Sequence, residues 1–181
     1  MKFLKQLVIL IFALVSIVLI VALFVRKDFQ VNRTVNIERS NTDIYEYLRF
    51  LDNHENFTVW SQMDPHMTKV YSGPDGNVGS IYKWNSKDEN VGIGEQEITL
   101  LIPDEKIEFD LRFKKPWKSN SKVYLDITSE SKNSSQVTWG ISGETPWPWN
   151  ITLLFMDMDS QLGTDLETGL NNLKNLLEVE E

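Results

Sequence analysis

Residues 162–177 read LGTDLETGLNNLKNLL. Leu162, Leu166, Leu170, Leu173 and Leu177 recur there at spacings of four, four, three and four. That rhythm puts all five on one apolar stripe of a long amphipathic α-helix. Such a helix must bury its stripe against another surface. Gly163 and Gly169 interrupt it, and each costs about 1 kcal/mol relative to Ala in a helix interior. Both are therefore expected to mark close approach to that other surface. Met156 and Met158 precede the helix, and thioether side chains of this kind adapt to irregular gaps.

Upstream the period changes to two. Phe29, Val31, Val35 and Ile37 alternate with polar neighbours and predict a strand. Ser40 to Asp43 supplies helix N-caps ahead of Ile44 to Leu48, and a partly helical stretch runs from Leu51 to Ser61. Six strand signals follow, around 68–71, 80–84, 91–102, 107–113, 123–127 and 137–141. The cleanest is Ile107-Phe109-Leu111-Phe113, alternating with Glu108, Asp110 and Arg112. Gly143 to Asn150 contains Pro146 and Pro148, which cannot donate ladder hydrogen bonds and so end the sheet. The predicted architecture is α+β, a curved antiparallel sheet of about seven strands gripping one long C-terminal helix. Curling of the strands would leave a hollow between helix and sheet.

The N-terminus is of another character. Leu7 to Val25 holds 19 residues of which only Ser16 is polar. At about 1.5 Å per residue such a helix reaches roughly 28 Å, close to the ~30 Å hydrocarbon core of a bilayer. A cleaved signal would have a shorter apolar region and a small-x-small site at its end; Ala22-Leu23-Phe24-Val25-Arg26 offers none. The reading is a single-pass anchor with a short basic tail over residues 1–28 and a soluble domain over 29–181. Lys2 and Lys5 favour a cytoplasmic N-terminus and an extracytoplasmic domain, although Arg26, Lys27, Arg33 and Arg39 pull the other way.

Charge excludes some partners. Residues 26–181 carry 16 basic and 26 acidic side chains, a net of −10. A general nucleic-acid binder needs the opposite sign. The chain has no Cys and only two His, His54 and His66, neither in a metal-ligand spacing. No metal, nucleotide or other cofactor is expected, and nothing specifies an oligomeric state.

Three stretches carry a family likeness. They are Trp60-Ser61 with Asp64-Pro65-His66-Met67 and Tyr71-Ser72-Gly73-Pro74; Gly79 to Trp84 with Gly92 and Gly94; and Met156-Asp157 with Leu162 to Leu170 and Leu173-Lys174. With the strand-helix-helix-six strands-helix order, residues 29–179 resemble the START-like superfamily, the polyketide cyclase/dehydrase and lipid-transport group (SRPBCC), in a membrane-anchored bacterial form. The resemblance implies a helix-grip fold. It leaves activity open, since function resides in sites grafted on such folds.

Three functions are thereby in play. The leading one is membrane-tethered binding of a small hydrophobic or amphipathic ligand, lipid-like or polyketide-like. Tyr82, Trp84, Phe109, Trp139, Met156 and Met158 are the expected lining. The second is a cofactor-independent cyclase or hydrolase. Glu95 and Glu97, two apart on one strand face, and His66 are its candidate acids and bases. A bland alternative for the pair is an exposed face opposite Ile98 and Leu100, and a bulge near Gly92 and Gly94 would turn that face. The third is an interaction module with no pocket. Arg33, on the apolar face of the first strand, calls for a carboxylate such as Glu95 or Glu97, or a place near the membrane where it can snorkel. Trp147 and Trp149, beside prolines, suit a pocket mouth or a bilayer interface.

Overall fold

A computed structural model describes residues 1–179. Helix α1 (Lys2–Ala22) is followed by strand β1 (Asp28–Ile37), helix α2 (Asn41–Leu48), a 3-10 turn (Leu51–Asn56) and helix α3 (Val59–Met63). Strands β2 (Thr68–Ser72), β3 (Ile81–Asn85), β4 (Ile93–Ile102), β5 (Lys106–Lys115), β6 (Ser119–Ser131) and β7 (Ser134–Glu144) come next. A 3-10 turn (Trp149–Leu154) and helix α4 (Met158–Val179) are the last elements of the described residues. The seven strands form one antiparallel sheet in the order β1-β7-β6-β5-β4-β3-β2. The chain is a helix-grip fold: a meander closed by its own first strand, with α4 on the concave face.

Local chemistry explains the elements. Ser40 caps α2, its hydroxyl accepting from the Asp43 amide at 3.2 Å. The inner face of the sheet buries Ile107, Phe109, Leu125, Ile127, Val137 and Trp139, as the alternation requires. Helix α4 buries Leu166, Leu170, Leu173 and Leu177, with Leu162 partly covered.

Both α4 glycines lie at close contacts. A Cβ on Gly169 would stand 2.7 Å from the Trp139 ring, and one on Gly163 would stand 2.0 Å from the Arg33 guanidinium. Arg33 reaches over Gly163 to grip Asp159, in the first turn of α4, with 2.9 Å contacts to each carboxylate oxygen. The two-pronged geometry suits a guanidinium, and the helix N-terminus favours the anion. Glu95 and Glu97 are not its partners. They sit on β4, four strands from β1, a span of roughly 19 Å at ~4.8 Å per strand.

A second correction concerns parity. The β4–β5 register shifts between Ile98 and Leu100. The bulge turns Leu100 outward, where it is 37% exposed, and Leu101 packs on the core in its place.

Helix α1 is long and apolar enough to cross a membrane, and none of its most apolar 18-residue window is buried against the rest of the chain. Its last turn is tied down. Asn150 Nδ2 donates to the Ala22 and Val25 carbonyls at 2.7 and 2.9 Å, and Trp147 Nε1 donates to Leu19 at 3.3 Å. Leu19 and Ala22 are among the last four carbonyls of the helix, which a helix end leaves without intrahelical partners, and Val25 follows it.

Truncating the fully buried Leu170 to Ala is expected to cost about 3 kcal/mol of stability. Val70→Thr, on an exposed strand position, should change it by no more than about 0.5 kcal/mol. Chemical denaturation of the full chain in detergent micelles separates the two.

Candidate functional site

Between sheet and α4 lies a cavity of about 160 Å³. Strand alternation builds one wall, with Tyr82 and Trp84 on β3, Gln96 on β4, and Leu111 and Phe113 on β5. Trp139 and Ile141 of β7 face them, Leu162 and Leu166 of α4 close the roof, and Trp60 and Ser61 of α3 close one side. The lining is almost wholly apolar. Its size matters, because a void near 150 Å³ accepts one benzene-sized guest. The enclosed part therefore fits a single ring or a short chain, and is smaller than the few hundred Å³ usual for ligand sites.

Aromatic rings surround this space. Tyr71, Tyr82 and Trp84 stack in sequence at centroid distances of 5.0 and 5.7 Å, and Phe113 meets Trp84 edge-on at 5.6 Å. Trp139 receives Phe57 at 5.7 Å and Trp60 at 5.9 Å, both edge-on. Trp84 Nε1 donates to the Val91 carbonyl at 3.1 Å, which fixes the indole.

Two polar groups on the lining differ from the rest. The Tyr82 hydroxyl is buried and makes no hydrogen bond, although the Ser61 hydroxyl lies close enough to offset part of the rise in its pKa. Burial, with the negative charge of Glu55, pushes its pKa up to about 12. It remains a protonated donor without an acceptor, which costs stability unless a partner arrives. Glu55 is itself engaged by Tyr71 and Lys69. His54 also lines the cavity. Its Nε2 lies 2.7 Å from the Leu48 carbonyl, which can only accept, so Nε2 carries the proton. Burial lowers the His54 pKa and keeps the ring neutral.

Of the lining residues expected from sequence, Tyr82, Trp84 and Trp139 meet at the cavity. Phe109 lies beneath it in the core, edge-on to His54 at 5.5 Å. Met158 packs at the core margin and Met156 is exposed, so neither methionine reaches the cavity. Glu95 and Glu97 point to the convex face. There Arg112 contacts them at 2.9 and 2.5 Å, and Lys114 reaches Glu95 at 2.7 Å. These cations hold the Glu95 carboxyl below its ordinary range. His66 is exposed in the turn before β2, its amide donating to Asp64 at 3.1 Å. None of the three lines the cavity, so the proposed acid–base pair does not converge on it. Gln96, Leu111 and Phe113 do line it. Their signal was available: Gln96 lies between two outward carboxylates, and Leu111 and Phe113 share the parity of Phe109.

No protein-family model matches the sequence, and no curated protein matches it significantly. Solved structures do resemble it. Norcoclaurine synthase from Thalictrum flavum, in complex with dopamine and hydroxybenzaldehyde, aligns over 90% of this chain and 93% of its own, with a TM-score of 0.64 and 11% identity. The Aha1 dimer protein from Colwellia psychrerythraea aligns over 84% and 98%, with a TM-score of 0.58 and 20% identity. Ginseng major latex-like protein 151 from Panax ginseng aligns over 83% and 97%, with a TM-score of 0.57 and 15% identity. At these identities the likeness establishes a shared START/Bet v1-like fold.

The His54 environment predicts an acid-sensitive fold. Its pKa is lowered in the folded protein, so below the ordinary value of 6.5 the unfolded chain binds a proton that the native state refuses. Stability is then full above about pH 6.5 and falls as pH drops toward 5. Denaturation midpoints at pH 7.5 and 5.5 should show this loss in the parent chain and a clearly smaller one in His54→Gln.

Proposed function

We propose that this protein is a membrane-tethered binding domain for a small hydrophobic or amphipathic molecule that carries a hydrogen-bond acceptor. The observation that carries the reading is Tyr82, a protonated hydroxyl with no partner at the wall of an apolar, ring-lined cavity. A guest with a planar ring would meet aromatic faces and edges on several sides, and a carbonyl on that ring would accept from Tyr82. Burying apolar area at about 25 cal/mol per Å² supplies the affinity, and the unpartnered Tyr82 donor supplies orientation.

The size of the cavity narrows the ligand class. A lipid-like or polyketide-like molecule would place only one ring or a short chain inside and leave the remainder at the opening. The complex of norcoclaurine synthase with dopamine and hydroxybenzaldehyde supports this by analogy, because each of those molecules has one benzene ring. Helix α1, long and apolar enough to span a bilayer, is read as the anchor over residues 1–28, with residues 29–181 forming the binding domain. It would hold the cavity beside the phase in which such ligands dissolve. The motifs resembling a membrane-anchored START-like subgroup agree with this. We place the domain on the extracytoplasmic side on the strength of the short basic tail at Lys2 and Lys5, against the pull of Arg26, Lys27, Arg33 and Arg39.

Benzaldehyde and toluene, matched in ring and differing in the acceptor, test the proposal. Tryptophan fluorescence of the full chain should report saturable binding of both, with free probe fixed by equilibrium dialysis. Tyr82→Phe should weaken benzaldehyde roughly fivefold to tenfold, the worth of one hydrogen bond, and leave toluene within twofold. No saturable binding of either probe, or equal loss of both, would refute it.

A further inference from the structure

The sheet register gathers one set of features at a single end of the molecule. Asp28 pairs with Glu144, Gly143 with Ser121, and Phe113 with Ser119. The end of α1, the start of β1, the β5–β6 turn and the segment after β7 therefore share that end. Large apolar side chains are bare there: Phe24 and Phe155 at 85%, Trp117 at 80%, Trp149 at 68% and Leu154 at 56%, a grouping matched elsewhere in the described domain only by the single Val179 at 79%. Such a concentration of bare aromatics marks a surface made to be covered.

We infer that this end of the domain seats directly on the lipid bilayer, with Trp117, Trp149, Leu154 and Phe155 inserted at the headgroup–acyl boundary. The inference rests on the reading of α1 as a membrane span. Three observations favour a bilayer over a protein partner. First, the patch continues from α1 without a linker. Asn150 and Trp147 bond the carbonyls of Leu19, Ala22 and Val25, so the helix end and the 149–155 segment move together. A bilayer that holds the helix necessarily meets this segment. Second, the composition is that of an interfacial belt, with Trp beside basic Arg26, Lys27, Lys115 and Lys118, all exposed. Third, the opposite end of the sheet presents polar turns such as Glu130 to Asn133.

Seating has a consequence for the cavity. Met67, Trp84, Val91 and Phe113 line it from strand ends on this same side, since Thr68 pairs with Asn85, Asn85 with Ile93, and Ile93 with Lys115. The cavity thus lies at the membrane-facing end, and a bilayer-dissolved ligand has a short route to it.

The chain contains no Cys, so single cysteines can carry nitroxide labels without background. Val15→Cys, Trp149→Cys, Phe155→Cys, Trp117→Cys and Lys132→Cys in the full chain, reconstituted in phosphatidylcholine–phosphatidylglycerol nanodiscs, would be compared by oxygen and nickel-chelate accessibility. All five positions are exposed in the chain itself. The label at 15 should report the acyl core, those at 117, 149 and 155 the headgroup–acyl boundary, and that at 132 water, roughly 40 Å away along the 13 residues of β6. Labels at 149 and 155 as wet as that at 132, with 15 still in the acyl core, overturn the seating and leave the anchor standing. A wet label at 15 overturns the anchor and the seating with it. Boundary readings that vanish on dilution to one chain per disc would assign the patch to a second copy and overturn the inference.

Discussion

One helix cannot cover seven strands, and the rest of the structure follows from that mismatch. Seven strands span about 34 Å at ~4.8 Å apiece, whereas a helix with its side chains is ~10–12 Å wide. Helix α4 commits its leucine stripe to the β1 side of the concave face, where Gly163 and Gly169 let it lie close over Arg33 and Trp139. The β3–β5 side is left to short elements, α3 and the preceding 3-10 turn, and to large rings. Tyr82, Trp84, Trp60 and Phe113 fill most of that breadth but enclose a void of about 160 Å³. The cavity is thus a remainder of sheet geometry, sized by aromatic side chains.

The two faces of the sheet divide the chemistry between them. On the convex side Glu95, Glu97, Asp110, Arg112, Lys114 and Lys122 form a continuous lattice of opposite charges. Water screens such pairs, so each contributes little to stability. Their effect is to keep the charge of three strands, β4, β5 and β6, out of the interior. On the concave side the unpaired Tyr82 hydroxyl and neutral His54 are the polar exceptions that bear on a guest. Thr58, Ser61, Asn90 and Gln96 add polar side chains to the lining, and among the described residues no carboxylate side chain stands on it.

Much of this was legible in the residues. The stripe from Leu162 to Leu177, the alternation from Ile107 to Phe113 and the two prolines after β7 contain the architecture, because helix and strand periods are local properties. Gly163 and Gly169 could be read as close contacts, although not what they touch. Long-range pairing was hidden. That Arg33 meets Asp159 depends on β1 lying beside β7 with α4 across it, which no spacing encodes. The bulge that exposes Leu100 was also hidden, since alternation gives parity but not the residue at which it slips. The same gap separates Met156 from the cavity: its hydrophobicity is legible, but the turn that leaves it exposed belongs to the packing of residues 149–154 on α1.

The six tryptophans report on the account as a whole, three around the cavity and three at the end where α1 joins the domain. Indole-labelled full chain, observed by two-dimensional NMR during titration with benzaldehyde, tests the central claim most directly. Saturable shifts of the Trp60, Trp84 and Trp139 indole signals, with Trp117, Trp147 and Trp149 unmoved, are predicted. Shifts confined to the latter three, or none that saturate, would contradict a ring-sized guest between sheet and helix.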